Sequence, residues 1–200
     1  MYERRLDVLY EVIKKCVCSH HDGTEMGLAG LIHLQTMLEK CRDRGASVYV
    51  IGNGGSAGIA SHFCVDLVNS LKIPAHTLFD SNLITCLSND YGYEHSFSRS
   101  LDIVFEKKDL LLAISSSGKS PNIINAIKSV RKKEGTVVTL SGFAEDNPLR
   151  KSGDLNFWLD AKDYGLVEMG HFILLHSLID LMKAQKDAAK AKLLELVHAK

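Results

Sequence analysis

The chain has 200 residues, 46% hydrophobic and 24% charged, and its 24 Lys plus Arg balance 24 Asp plus Glu to a formal net charge of zero. These ordinary globular values exclude disorder as the main state. They also argue against a dedicated nucleic-acid binder, which carries a basic stripe. No run of about 18 apolar residues is present for a membrane span.

The opening MYERRLDVLYEVIKK mixes charged with apolar residues and lacks the apolar centre of a signal peptide, which predicts a cytoplasmic protein. The five cysteines, Cys16, Cys18, Cys41, Cys64 and Cys86, are odd in number and form no CxxC. They are expected to be reduced thiols. With no Gly/Ser linker, residues 1–200 are read as a single domain. Within it, 1–45 is a helical pair, 46–184 an α/β core and 185–200 a polar helix or tail.

Residues 3–19 place Leu6, Leu9, Val12, Ile13 and Cys16 at helical spacing, and 24–43 repeat the pattern through Leu28, Leu31, Ile32, Leu34, Met37, Leu38 and Cys41. The rhythm then changes. Strands are predicted at 46–51, 73–79, 109–114, 136–141 and 154–159, alternating with helices at 57–71, 81–87, 96–105, 121–134 and 165–184. Strands apolar throughout, separated by helices, imply a parallel sheet covered on both faces. The tail KAQKDAAKAKLLELVHAK reads as a solvated surface helix.

In such a sheet, ligands gather at the carboxyl ends of strands, where helix N-termini direct free N–H groups outward. Two turns fit this role. Ser115-Ser-Ser-Gly-Lys-Ser120-Pro121 follows DLLLAI and sets hydroxyls against a helix start, with Pro121 at its first position. A phosphate ligand and a plain helix-capping connector both fit that turn, and it lacks Walker spacing. Gly52-Asn-Gly-Gly-Ser56 follows an earlier strand, and its glycines allow close backbone approach to a ligand.

His62 and Asp66 lie four apart on the next helix and share a face. Glu168 and His176 lie eight apart, so one helix separates them by about 80° and about 12 Å. Either the helix starts late or the four groups meet across a subunit boundary. His171 lies about 140° from His176 and is expected to face elsewhere. Cys16, Cys18, His20 and His21 resemble a metal cluster at first sight, but on a helix residues two apart point to opposite sides.

Taken together, Gly52–Ser56 with His62, Ser88-Asn-Asp-Tyr-Gly92, Ile114–Ser120, and Glu168 followed by His176 resemble the SIS (sugar isomerase) fold. Within it, the chain resembles the sedoheptulose 7-phosphate isomerase (phosphoheptose isomerase) family over nearly its whole length. The resemblance implies a three-layer α/β SIS fold with a mostly parallel five-stranded sheet, and two N-terminal helices used in a homotetramer. It implies that Ser115, Ser116, Ser117 and Ser120 hold a sugar phosphate, while Asn53, Gly54, Gly55, Ser56, Asn89 and Asp90 contact the sugar.

By the same resemblance, Asp66, His176 and Glu168 are catalytic, and His62, Asp66, Glu168 and His176 form a possible zinc site, one per subunit. The implied reaction is aldose–ketose isomerisation of sedoheptulose 7-phosphate through an enediol, feeding surface polysaccharide synthesis. Four positions depart from the family. Asp66 replaces a glutamate and Glu168 a glutamine, Ser70 stands where an arginine is expected, and Gly165 stands where an acid is frequent. Two alternatives stay open: an isomerase of another phosphosugar, and a non-catalytic SIS protein that binds a sugar phosphate or a partner such as the replication initiator.

Overall fold

The computed structural model describes residues 2–27 and 29–198. Leu28, counted above in the second helical pattern, and the last two residues of the tail lie outside them. The sheet runs β1-β6-β5-β4-β2-β3. Its strands are β1 (Val17–His20), β2 (Val48–Ile51), β3 (Ala75–His76), β4 (Leu110–Ser115), β5 (Thr136–Ser141) and β6 (Leu155–Trp158). All neighbours pair in parallel except β1, which runs antiparallel to β6. The helices are α1 (Tyr2–Lys14), α2 (Ala29–Asp43), α3 (Gly55–Asp66), α4 (Ser81–Tyr91), α5 (Ser96–Val104), α6 (Pro121–Lys132) and α7 (Tyr164–His198).

The central strands read as apolar throughout because both faces are covered. Every residue of β4 is buried. Leu110, Leu112 and Ile114 enter a core with Leu34, Phe63 and Leu178, and Leu111 and Ala113 enter another with Phe97, Leu101 and Ile123. That alternation is the two-residue period of a strand read against two helical layers. α7 carries a stretch, Tyr164–Ala189, as long and apolar as a membrane span, and half of it is buried inside the fold. It packs on α1, α2 and α3.

Three expectations are corrected. The sheet has six strands rather than five, because the helix expected over 3–19 ends at Lys14 and Val17–His20 forms an edge strand. Gly30 permits this: a Cβ there would lie 1.9 Å from Cys18 Sγ, so only glycine lets α2 approach β1 so closely. Cys18 in β1 and Cys16 just ahead of it line the same apolar cleft with Phe157 and Leu174. The strand expected over 73–79 shrinks to Ala75–His76. The tail does not form a separate element, since α7 continues unbroken to His198.

The thiols follow this burial. Desolvation pushes Cys16, Cys18 and Cys64 up to about 12 and Cys41 to about 11, while Cys86 is exposed. Under native conditions a maleimide is therefore expected to label Cys86 alone, as read by mass spectrometry of the digested protein. Fast labelling of any other cysteine would contradict the packing described.

Candidate active site

The two anion turns converge. Asn53, Ser56, Ser115, Ser116, Ser117, Ser120, Tyr164 and Glu168 line one cavity of about 160 Å³ at the carboxyl edge of β2 and β4. Ser115 Oγ and Ser120 Oγ lie 3.0 Å apart, and Ser117 Oγ accepts from the Lys119 N–H at 3.3 Å. Ser116 Oγ is buried and has no partner among the described residues. Pro121 opens α6 directly behind the turn, so the positive end of that helix faces the cavity.

The glycine loop is held from outside the cavity. Gly54 adopts φ 53°, which favours glycine. Asn53 and Asn122 exchange amide hydrogen bonds at 3.0 and 2.9 Å, and the Tyr93 hydroxyl donates to Asn53 Oδ1 at 2.8 Å. Asn122 is 1% exposed, so the pair is a fixed strut between the loop and α6. The expected sugar contacts Asn89 and Asp90 are elsewhere: both are exposed, Asn89 donates to Asp90 at 3.0 Å, and neither lines the cavity.

The expected four-residue metal set is only partly assembled. His62, Asp66 and His176 each offer a ligand atom within 4.8 Å of the others. Asp66 Oδ2 lies 3.3 Å from His62 Nε2 and 3.2 Å from His176 Nδ1. Phe172 flanks both imidazoles, with ring centroids 5.0 and 5.9 Å away. Glu168 is not the fourth member within one chain. Its carboxylate lies over Gly55, where a Cβ would sit 2.3 Å from Oε2. The reason is the eight-residue separation on a continuous α7, which places Glu168 at the first turn of α3 and His176 well below it.

Asp66 also marks a change of backbone. α3 gives way there to a π-helical turn, Leu67–Leu71, which closes on Lys72 at φ 58°. Single π turns recur at functional positions because they rotate the following side chains relative to an α-helix. Here Leu67 and Leu71 stay in the core on one side of the turn.

His171 faces the opposite way from His176, as its angle implies. It is fully buried, its Nε2 donates to the Ser141 carbonyl at 3.1 Å, and burial holds its pKa down to about 4. The folded protein thus binds His171's proton less readily than the unfolded chain does. Between pH 6.5 and about 4 the unfolded state carries the extra proton, so stability is complete above 6.5 and is lost as pH falls through that window. Denaturant unfolding is expected to lose stability steadily as pH falls through that window, and the His171→Leu variant is expected to lack that slope.

Sequence reasoning missed Tyr164, Asn122 and Tyr93. Tyr93 lies beside the motif at 88–92, and Asn122 follows the capped proline, which are the nearest signals available. Tyr164 had none, because its place at the cavity depends on where α7 begins, against Phe143 at 4.8 Å between ring centroids.

A mostly parallel sheet that opens a hydroxyl-lined pocket at its carboxyl edge, with a His–Asp–His group on the adjoining helices, defines an α/β protein with a polar pocket at its strand ends. The SIS domain family model matches residues 21–142. The phosphoheptose isomerase of Shewanella denitrificans is 34% identical over 90% of this chain and 94% of its own length. That of Colwellia psychrerythraea is 34% identical over 75% and 81%. A solved phosphoheptose isomerase from Neisseria gonorrhoeae matches with a TM-score of 0.71 at 25% identity, covering 77% of this chain and 86% of that one. One from Francisella tularensis shares the fold at a TM-score of 0.78 and 24% identity, covering 92% and 94%. The chain belongs to the SIS domain family, on its phosphoheptose isomerase branch, and its activity class is that of an isomerase.

Proposed function

We propose that the chain interconverts sedoheptulose 7-phosphate and D-glycero-D-manno-heptose 7-phosphate through an enediol. The observation that carries this reading is Ser116, a buried hydroxyl without a partner, in a cavity of serines at the start of α6. An unpaired buried donor costs about 1–3 kcal/mol, which a bound phosphate oxygen would offset. Ser115, Ser117 and Ser120 complete the cradle, with Asn53, Gly54, Gly55 and Ser56 forming its other wall.

The distance to the acid–base group supports a long open-chain substrate. His62 lies seven residues beyond Gly55 on α3, which is about 10 Å along the helix. From C2 to phosphorus an extended heptulose 7-phosphate spans about seven bonds, or about 9 Å with C–C bonds of about 1.5 Å. Asp66 takes the C1 proton and returns it to C2. His176, held by Asp66, shuttles protons between the two oxygens, which is the division of labour that enediol chemistry requires. Glu168, at the cavity end, accepts hydrogen bonds from sugar hydroxyls and turns the ligand, and Asn89 and Asp90 would reach the sugar only from another subunit.

Two imidazoles and one carboxylate are a donor set that suits zinc, and Asp66 Oδ2 lies 3.2–3.3 Å from a nitrogen of each imidazole. His62, Asp66 and His176 would hold the ion, and when bound it would polarise the substrate carbonyl; that scheme competes with Asp66 as the base, because a ligating carboxylate loses basicity. The trio stands on a face with exposed Val65, Val68, Met169 and Ile173. We take this face to be covered in a cytoplasmic homotetramer that supplies surface polysaccharide synthesis. The close Asp66–His176 contact favours the enzyme over a non-catalytic binder.

The test is direct. Purified protein incubated with sedoheptulose 7-phosphate is expected to yield the aldose phosphate, and His176→Ala is expected to lose at least about 100-fold in turnover. No conversion by wild type, or unchanged conversion by the variant, rejects the reading.

A further inference from the structure

The loop after β5 carries a buried residue whose hydrogen bonds tie that loop together beneath the serine turn. Asn147 is fully buried. Its amide nitrogen donates to Ala144 O at 2.8 Å and Gly142 O at 3.1 Å, with Ser141 Oγ at 3.2 Å, and its Oδ1 accepts from Arg150 N at 2.9 Å. One side chain therefore ties both ends of residues 141–150 together.

That loop in turn holds the turn after β4. Gly142 N donates to Ser116 O at 3.0 Å, and Leu149 N donates to Gly118 O at 3.1 Å. Gly118 has φ 64°, and a Cβ there would lie 2.0 Å from Asn147 Oδ1. The amide is thus pressed directly beneath the turn, in the space a side chain at position 118 would need. Ser116 and Gly118 each accept a backbone hydrogen bond from this loop, whose two ends Asn147 ties together.

We infer that Asn147 is a positioning residue for anion binding: it sets the shape of the Ser115–Ser120 turn without touching the ligand. The inference rests on the reading of that turn as the phosphate cradle. Asn147→Asp keeps the size and the Oδ1 acceptor but turns an oxygen toward the Gly142 and Ala144 carbonyls, which splays the loop. The cradle then loosens while Asp66 and His176 stay as they were.

A matched control exists. Asn156 is also buried, accepts from Thr139 Oγ1 at 2.6 Å and Gly153 N at 3.0 Å, and donates to Gly153 O at 2.9 Å, but it has no contact with the turn. Asn156→Asp therefore damages an equivalent network away from the cradle. The full-length wild type, Asn147→Asp and Asn156→Asp are titrated with inorganic phosphate by calorimetry, their melting temperatures recorded, and kcat and KM measured with sedoheptulose 7-phosphate.

Asn147→Asp is expected to weaken phosphate binding and raise KM by about tenfold with kcat within about twofold, while Asn156→Asp lowers the melting temperature but leaves both constants near wild type. Should Asn147→Asp not fold, Asn147→Ser is expected to show the same split at smaller size. Phosphate affinity unchanged in the Asn147 variant, or lost equally in both variants in step with their melting temperatures, would overturn the inference. A wild type that binds no phosphate at all would overturn the cradle reading and the inference with it.

Discussion

Asp66→Asn is expected to lower kcat for sedoheptulose 7-phosphate by at least about 100-fold, with KM changed by less than about threefold. Within the trio Asp66 is the sole carboxylate, and one of its oxygens faces both His62 and His176. The amide keeps the shape but cannot take a proton from carbon or hold the charge of an imidazolium. In the proposed reading the phosphate end of the substrate sits about 10 Å away along α3, so its affinity is carried by other residues. The measurement is a steady-state comparison on purified proteins with matched melting temperatures. A variant within about tenfold of wild type would mean that the proton is taken elsewhere, with Glu168 the next acid to test.

Ser120→Asp is expected to separate stability from binding. Ser120 precedes α6, and its hydroxyl bonds to Ser115 rather than to a free N–H of the helix. Aspartate is among the strongest residues at that position, and its charge complements the helix's positive end, so the melting temperature should hold or rise. The same carboxylate enters the serine cavity, where it occupies the donors of the proposed phosphate cradle and repels a dianion. The expected result is loss of sugar-phosphate binding by about 100-fold or more at unchanged or higher stability, read by calorimetry and thermal unfolding. Retained affinity would place the phosphate outside this cavity.

What could be read from the residues, and what could not, follows from range of interaction. β4 and β5 were legible because burial on both faces makes DLLLAI and TVVTLS apolar without a break. β1 was not. Its residues continue the helical spacing of α1, and only pairing with β6, more than a hundred residues away, makes Val17–His20 extended. The strand after Pro74 was overread because an edge strand needs few residues to pair.

At the site, the serine turn and the glycine loop were legible because their chemistry is local: hydroxyls, glycines and a helix start within a few residues. The eight-residue spacing of Glu168 and His176 leaves a late helix start or a meeting across subunits open, and the continuous α7 from Tyr164 excludes the first. Asn147 and Tyr164 were not legible, because each acts through a neighbour distant in sequence. Asn89 and Asp90 show the reverse case. A motif placed them with the sugar, while one chain alone leaves them exposed and bonded to each other.

The account stands on proton transfer at carbon by a group on α3 and α7. Its most direct test is to incubate the wild type with sedoheptulose 7-phosphate in deuterium oxide and follow the sugar by NMR. The expected product is aldoheptose 7-phosphate carrying solvent deuterium at C2, formed by wild type but not by Asp66→Asn. Recovery of the ketose unchanged, with no deuterium at C1 and no aldose, would contradict it.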